Sequence, residues 1–235
     1  MTLISTKPVR YALIIYELCS MTSRTLYIII FIVLRVDAFA QFFDPTAISM
    51  HWLDKEGHPW LTFDNVRKEY PNLIFLTNGS KFNQRHEPIG LYIENGKQFK
   101  SLQIEQNYKR LPASQGDGVF YIQSGKAFVE HLKPNLKTSA MTYALQSSPM
   151  LVINGKINPR LSIKERILMR NGVGITKDGK VYFACMESSE RSFAKHFIEA
   201  GCIQALQLDA EVSRVWHKNI KEKVYGRFGV MIGAE

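Results

Sequence analysis

Four times an apolar, β-rich stretch of this chain runs into x-Gly-Lys and then resumes. The stretches are LYIENGKQF (91–99), VFYIQSGKAFV (119–129), MLVINGKI (150–157) and GITKDGKVYF (174–183). A two-residue hairpin turn of type I′ needs positive φ at both central residues. Asn-Gly and Asp-Gly meet that condition well, and Ser-Gly meets it less well. The pattern predicts four β-hairpins and a mixed sheet with much antiparallel content. The lysine after each corner is expected to face solvent, which explains part of the basic charge without any ligand.

Two helices are expected. TFDNVRKEYP (62–71) has Thr62 or Asp64 as cap and Pro71 as stop. SSERSFAKHFIEAG (188–201) has Ser188 or Ser189 as cap, Glu190 early, and Gly201 at its end. Phe193, Phe197 and Ile198 give it an apolar face. NLIFLTNG (72–79) follows the first helix as a strand, which suggests an α/β element. IQALQL (203–208) follows the second, and FGVMIGA (228–234) reads as the last strand. With 46% hydrophobic residues the chain can bury a core. The expected fold is one α/β (α+β) domain, with helices packed on a mixed, largely antiparallel sheet.

The N-terminal region reads as an export signal. Arg24 precedes the apolar run 26–34, and Ala38-Phe39-Ala40 supplies a small-x-small cleavage site. At nine residues the run is about half of what a bilayer span needs. A retained anchor or a buried strand is the alternative. The expected division is a signal peptide at 1–40, with Met21 as an alternative start, and a domain at 41–235. No stable membrane span is expected after cleavage. Removal takes four basic and two acidic residues, so the net charge of +9 becomes +7. A periplasmic or secreted protein of that charge suits an anionic substrate. No basic stripe interleaved with aromatics is present, so no nucleic acid partner is expected. Cys185 and Cys202 remain after cleavage, either as one disulfide or as two buried thiols.

Polar residues stand where apolar runs stop: Asn78, Gln146, Ser147, Arg170, Asn171, Glu187 and Asp209. Ligand clefts of sheet proteins form at strand ends. Each also has an ordinary reading. Asn78-Gly79 and Asn171-Gly172 suit turns, Arg170 suits the surface, and Asp209 suits a strand terminus. Other chemistries lack support. GKQFK is too short for a phosphate-binding loop, G-x-S-x-G is absent, and the six histidines are scattered. Asp209 and Glu211, two residues apart, are poor evidence for paired glycosidase carboxylates.

Five segments in order carry a resemblance: FLTNGSKFNQRHEPIGLYIENGK, ALQSSPMLVINGKINP, RNGVGITKDGKVYFA, FAKHFIEAGCIQALQLDAEVSRVW and GRFGVMIG. Together they resemble the phosphodiester glycosidase family, which is related to the catalytic domain of the lysosomal uncovering enzyme. The resemblance implies hydrolysis of a sugar-1-phosphodiester at the glycosidic bond. It implies Asp209 as catalytic acid or base, with Glu187 as a second carboxylate. Its motif positions fall on Asn78, Gly79, Gln146, Ser147, Arg170, Asn171, Gly172 and Ser213 as substrate-binding groups, with Arg170 on the phosphodiester. No certain cofactor follows, although Asp209 leaves room for a divalent cation. The partner expected is an anionic glycan or sugar phosphodiester of the envelope. Three positions depart from the pattern. Ser80, Ser148 and Ala210 stand where the family usually has glycine. If those glycines hold positive φ, each change costs about 1 kcal/mol. A weakened or inactive module that binds an anionic glycan or a protein is the alternative.

Overall fold

The computed structural model describes residues 38–103, 118–220 and 222–235. All but the last three residues of the expected signal lie outside that range. In chain order, β1 (Phe39–Phe43) and β2 (Ile48–His51) come first, and α1 (Phe63–Glu69) leads into β3 (Phe75–Asn78). Two hairpins follow, β4 (Tyr92–Glu94) with β5 (Lys97–Lys100), and β6 (Gly118–Gln123) with β7 (Lys126–His131). Next are β8 (Met141–Ser147), β9 (Met150–Ile153) and β10 (Lys156–Ile157). The long hairpin β11 (Leu168–Thr176) and β12 (Val181–Ser188) runs into α2 (Glu190–Glu199). The chain closes with β13 (Cys202–Asp209), β14 (Val215–His217) and β15 (Met231–Ala234).

These strands form three sheets, ordered β1-β12-β11-β13-β9-β10, β14-β3-β15-β2 and β5-β4-β8-β6-β7. Every pairing among the described strands is antiparallel. The fold is thus α+β and mostly sheet, which corrects the expected mixed sheet with packed helices. The helix before β3 is no parallel crossover, because β3 pairs with β14 and β15 from the C-terminal part of the chain. Apolar runs alone do not reveal which partner a strand takes.

Three hairpin corners are as expected. Asn95-Gly96, Ser124-Gly125 and Asn154-Gly155 each take positive φ at both residues. The fourth differs, since only Gly179 of Asp178-Gly179 does so. There the Gly179 N–H donates to the Thr176 carbonyl at 3.0 Å, and the Thr176 hydroxyl donates to the Asp178 carboxylate. A three-residue loop ending in a left-handed glycine results. The two helix caps are Thr62, whose hydroxyl accepts from Asn65 N–H at 3.2 Å, and Ser189, whose hydroxyl accepts from Ser192 N–H at 3.3 Å.

The three sheets share one core. Phe183 of the first packs against Phe75 of the second (5.1 Å between ring centres) and Phe120 of the third (6.1 Å). On its other face the first sheet carries α2, which buries Phe193 and Phe197. The helix can come that close because Gly172 and Gly174 lie beneath it. A Cβ on Gly174 would sit 2.6 Å from Phe197 Cδ1 and from Cys202 Sγ. Cys185 lies on the inter-sheet side with Phe183, whereas Cys202 packs with α2. Both are free buried thiols on opposite faces of the sheet, so no disulfide joins them.

The first strand bears on the expected cleavage after Ala40. Phe39 pairs with Cys185 and its ring stacks on Phe75 at 5.1 Å. Cleavage there removes Phe39 and Ala40 from β1. A chain that begins at Gln41 is expected to be about 1–2 kcal/mol less stable than one that begins at Phe39. Urea unfolding of the two forms side by side measures the difference.

Candidate active site

The polar residues that the fold brings together are Asn78, Asn171, Asp209 and Ser213, all buried. Asn78 is the last residue of β3, and Asp209 is the last of β13. Asn171 lies within β11, directly opposite Asp209. One local irregularity makes the meeting possible. Asn171 pairs with Asp209 while Gly172 pairs with Gln207, so Leu208 and Asp209 together oppose one residue. This is a β-bulge, which re-aims the side chains beyond it. Gln207 faces the α2 side, where its Oε1 accepts from Arg170. Strict alternation would put Asp209 on that side too. The bulge turns it to the inter-sheet side, toward Asn78. Ser147 supports the bulge by donating from its hydroxyl to the Leu208 carbonyl at 2.9 Å.

The hydrogen bonds form a connected network. Asn171 Nδ2 donates to the Asn78 carbonyl (2.6 Å) and to Thr77 Oγ1 (2.8 Å). Its Oδ1 accepts from the Ser213 hydroxyl at 3.0 Å. These partners fix the orientation of the amide. Asn78 Nδ2 donates to Asp209 Oδ2 at 3.2 Å, and Asn78 Oδ1 accepts from Arg214 N–H at 2.8 Å. Asp209 Oδ1 accepts from the N–H groups of Ala210 (2.5 Å) and Glu211 (2.8 Å). Burial raises the Asp209 carboxyl above the ordinary aspartate value, against the backbone N–H groups that favour its charged form.

The other candidates stand elsewhere or act indirectly. Gln146 accepts from the N–H groups of Leu91 and Gln103, both at 3.0 Å, and donates to the Gln103 carbonyl. It ties two chain segments together outside the network. Gly79 packs in the core, where a Cβ would lie 3.0 Å from Val230. Gly172 serves the approach of α2, and neither Asn-Gly pair forms a turn. Asn78 ends β3, and Asn171-Gly172 lies inside β11. Arg170 faces away from Asp209, toward α2. Its guanidinium donates to the Ser188 carbonyl, Gln207 Oε1 and the Arg166 carbonyl, and Glu190 is 3.7 Å away. The strand pleat that places Asn171 in the network turns Arg170 to the opposite face. Glu187 is exposed on the same face as Asn171, one step beyond Cys185, the partner of Asn171.

Thr77 and Arg214 belong to the site without a signal in the sequence. Thr77 reads as a strand residue. Arg214 follows a motif serine, and only the pairing of β14 with β3 brings it in. The three expected glycine positions carry no strain, since Ser80, Ser148 and Ala210 all avoid positive φ. Ser80 and Ser148 are buried, and among the described residues the Ser80 hydroxyl has no hydrogen-bond partner. A divalent cation does not fit at Asp209. Its neighbours in the network are asparagines, a serine and backbone N–H groups rather than further carboxylates, and among the described residues no three His, Cys, Asp or Glu side chains converge. Two surface pockets, one beside Trp60 and one between Arg67 and Trp216, share no lining residue with the network.

An antiparallel fold with a buried carboxylate where two sheets meet defines the class. The family model described as phosphodiester glycosidase matches residues 71–212, and the chain belongs to that family. It is 30% identical over 186 residues to the uncharacterized protein YigE of Escherichia coli K12, covering 73% of this chain and 70% of YigE. In fold it resembles the zebrafish N-acetylglucosamine-1-phosphodiester alpha-N-acetylglucosaminidase catalytic domain, a structure auto-inhibited by its pro-peptide. That likeness has a TM-score of 0.61 at 12% identity, over 85% of this chain and 82% of the other. A hypothetical protein from Synechocystis is similar over 83% of this chain and 58% of its own, with a TM-score of 0.52 at 10% identity. Identities this low show a shared fold alone.

Proposed function

We propose that this protein is a hydrolase that cleaves the glycosidic bond of a sugar-1-phosphodiester, with Asp209 as general base. The observation that carries the reading is the buried Asp209 carboxylate, re-aimed by the bulge and held by Asn78 and two backbone N–H groups. In the reaction the bond from sugar C1 to oxygen breaks. The phosphomonoester leaves with the electron pair, and water adds to C1 and gives its proton to Asp209. Phosphate is a fair leaving group, so proton removal from water needs help more than departure does. A carboxyl raised by burial is suited to that task. Glu187, exposed on the same face, is the second carboxylate of the proposal.

The test is sugar release from an N-acetylglucosamine-1-phosphodiester in ¹⁸O-labelled water, with and without a chelator. Label in the sugar is expected. Label in the phosphate would mean cleavage at phosphorus and would sink this reading. A second reading is a binding module of the same fold. It is favoured by the closed network and by the buried side chains of Ser80 and Ser148. Diester binding with no turnover above the Asp209→Asn variant would select it.

Export belongs to the same proposal. The apolar run 26–34 and the Ala-Phe-Ala site support it, and envelope glycans offer anionic substrates. Fractionation with mass spectrometry of the N-terminus decides the matter. A full-length N-terminus in the cytosolic fraction would exclude it.

A further inference from the structure

Arg170 is turned toward α2, so the charge that would hold a phosphodiester has to come from elsewhere. We infer that Arg214 is the anion-recognition residue of this site and sets its preference for phosphate-linked over neutral glycosides. The inference rests on the hydrolase reading for the nature of the anion.

The geometry is specific to this position. The backbone of Arg214 is pinned on both sides. Its N–H donates to Asn78 Oδ1 at 2.8 Å, and its carbonyl accepts from the Thr77 hydroxyl at 2.8 Å. The network that holds Asp209 therefore also fixes where the Arg214 side chain starts. The side chain is exposed, and one guanidinium nitrogen donates to the Ser213 carbonyl at 2.7 Å. That bond steers the group and leaves further N–H donors for a ligand. Among the described residues no carboxylate lies within ion-pair distance of it. Its charge is felt at Cys185, the strand partner of Asn171, where it opposes the burial that pushes the thiol up to about 12. An exposed guanidinium with no carboxylate partner among the described residues, carried on a backbone tied to Asn78 and Thr77, suits the bidentate recognition of a phosphate. It would also offset the repulsion between Asp209 and an anionic substrate.

The test uses the full chain and two replacements, Arg214→Gln and Arg214→Lys. The bonds that tie residue 214 to Thr77 and Asn78 are made by its backbone, so both variants keep them. Binding of methyl N-acetylglucosamine-1-phosphate and of neutral methyl N-acetylglucosaminide is measured by calorimetry, and KM and kcat are measured on the diester. Arg214→Gln is expected to weaken diester binding and raise KM by about 10- to 100-fold. Binding of the neutral glycoside should stay unchanged, and Arg214→Lys should restore part of the loss. Equal losses for both ligands, or no loss, would overturn the assignment. Turnover with a KM indifferent to Arg214 would overturn it while leaving the hydrolase reading intact. Arg214-dependent diester binding without turnover would do the reverse. If the wild type does not bind the diester, both are wrong.

Discussion

Replacing Asp209 with asparagine is expected to lower sugar release by roughly 10²- to 10⁴-fold, the usual worth of a positioned general base. The carboxamide can keep one oxygen toward the N–H groups of Ala210 and Glu211. Its nitrogen then faces Asn78 Nδ2, so two donors meet where a donor met an acceptor. A stability loss of about 1–2 kcal/mol should follow at low pH. The pH dependence carries its own sign. Burial raises the Asp209 carboxyl, so the folded chain binds more protons than the unfolded one between the ordinary aspartate value and the raised one. Wild-type stability therefore falls as pH rises through that window. The carboxamide does not titrate, so the variant's deficit shrinks over the same interval. Activity moves the other way. A base works when deprotonated, so the acid limb of the rate profile should lie above the ordinary aspartate range and vanish in the variant. Parallel urea titrations and pH–rate profiles test both signs. A limb at the ordinary aspartate position would mean that another group titrates.

The second large effect is expected at Asn171. Alanine there removes a side chain that donates to the Asn78 carbonyl and Thr77 and accepts from Ser213. Each stranded buried group costs about 1–3 kcal/mol, and the three belong to one network. A total loss of about 3 kcal/mol or more is expected, with activity abolished. Asn171→Asp is the informative comparison. It keeps the acceptor for Ser213 but replaces a donor with a carboxylate close to Asp209. It should be at least as damaging, and urea unfolding at neutral pH measures it. An asparagine that served substrate alone would show little change in either unfolding curve.

Much of this fold is legible because hairpin turns are local. Asn95-Gly96, Ser124-Gly125 and Asn154-Gly155 demand positive φ and announce their strands. Thr62 and Ser189 announce their helices in the same way. The pairing of β3 with β14 and β15 is not local, and nothing near Phe75 reveals it. The site divides along the same line. Asn78, Asn171, Asp209 and Ser213 are motif residues and meet in space. Arg170 is also a motif residue, yet a single step of the pleat separates it from Asn171 and sends it to α2. Asp209 reaches the correct side only through a bulge that no alternation pattern contains. The three lost glycines illustrate the limit of residue type as a guide. Glycine can be favoured for positive φ or for space, and here the backbone shows that Ser80, Ser148 and Ala210 need no positive φ.

The four-stranded sheet has a consequence for how the chain reaches its native state. β15 lies between β2 and β3, so strands made early can join only through one made nearly last. Asn78 likewise waits for Asp209, 131 residues further along. Such long sequence separations slow folding, because loop closure must precede the contacts that reward it. Until β15 is made, β2 and β3 have no strand to join them. A chain that is threaded through a membrane before it folds would gain from that delay. The topology itself would keep β2 and β3 unjoined until β15 arrives.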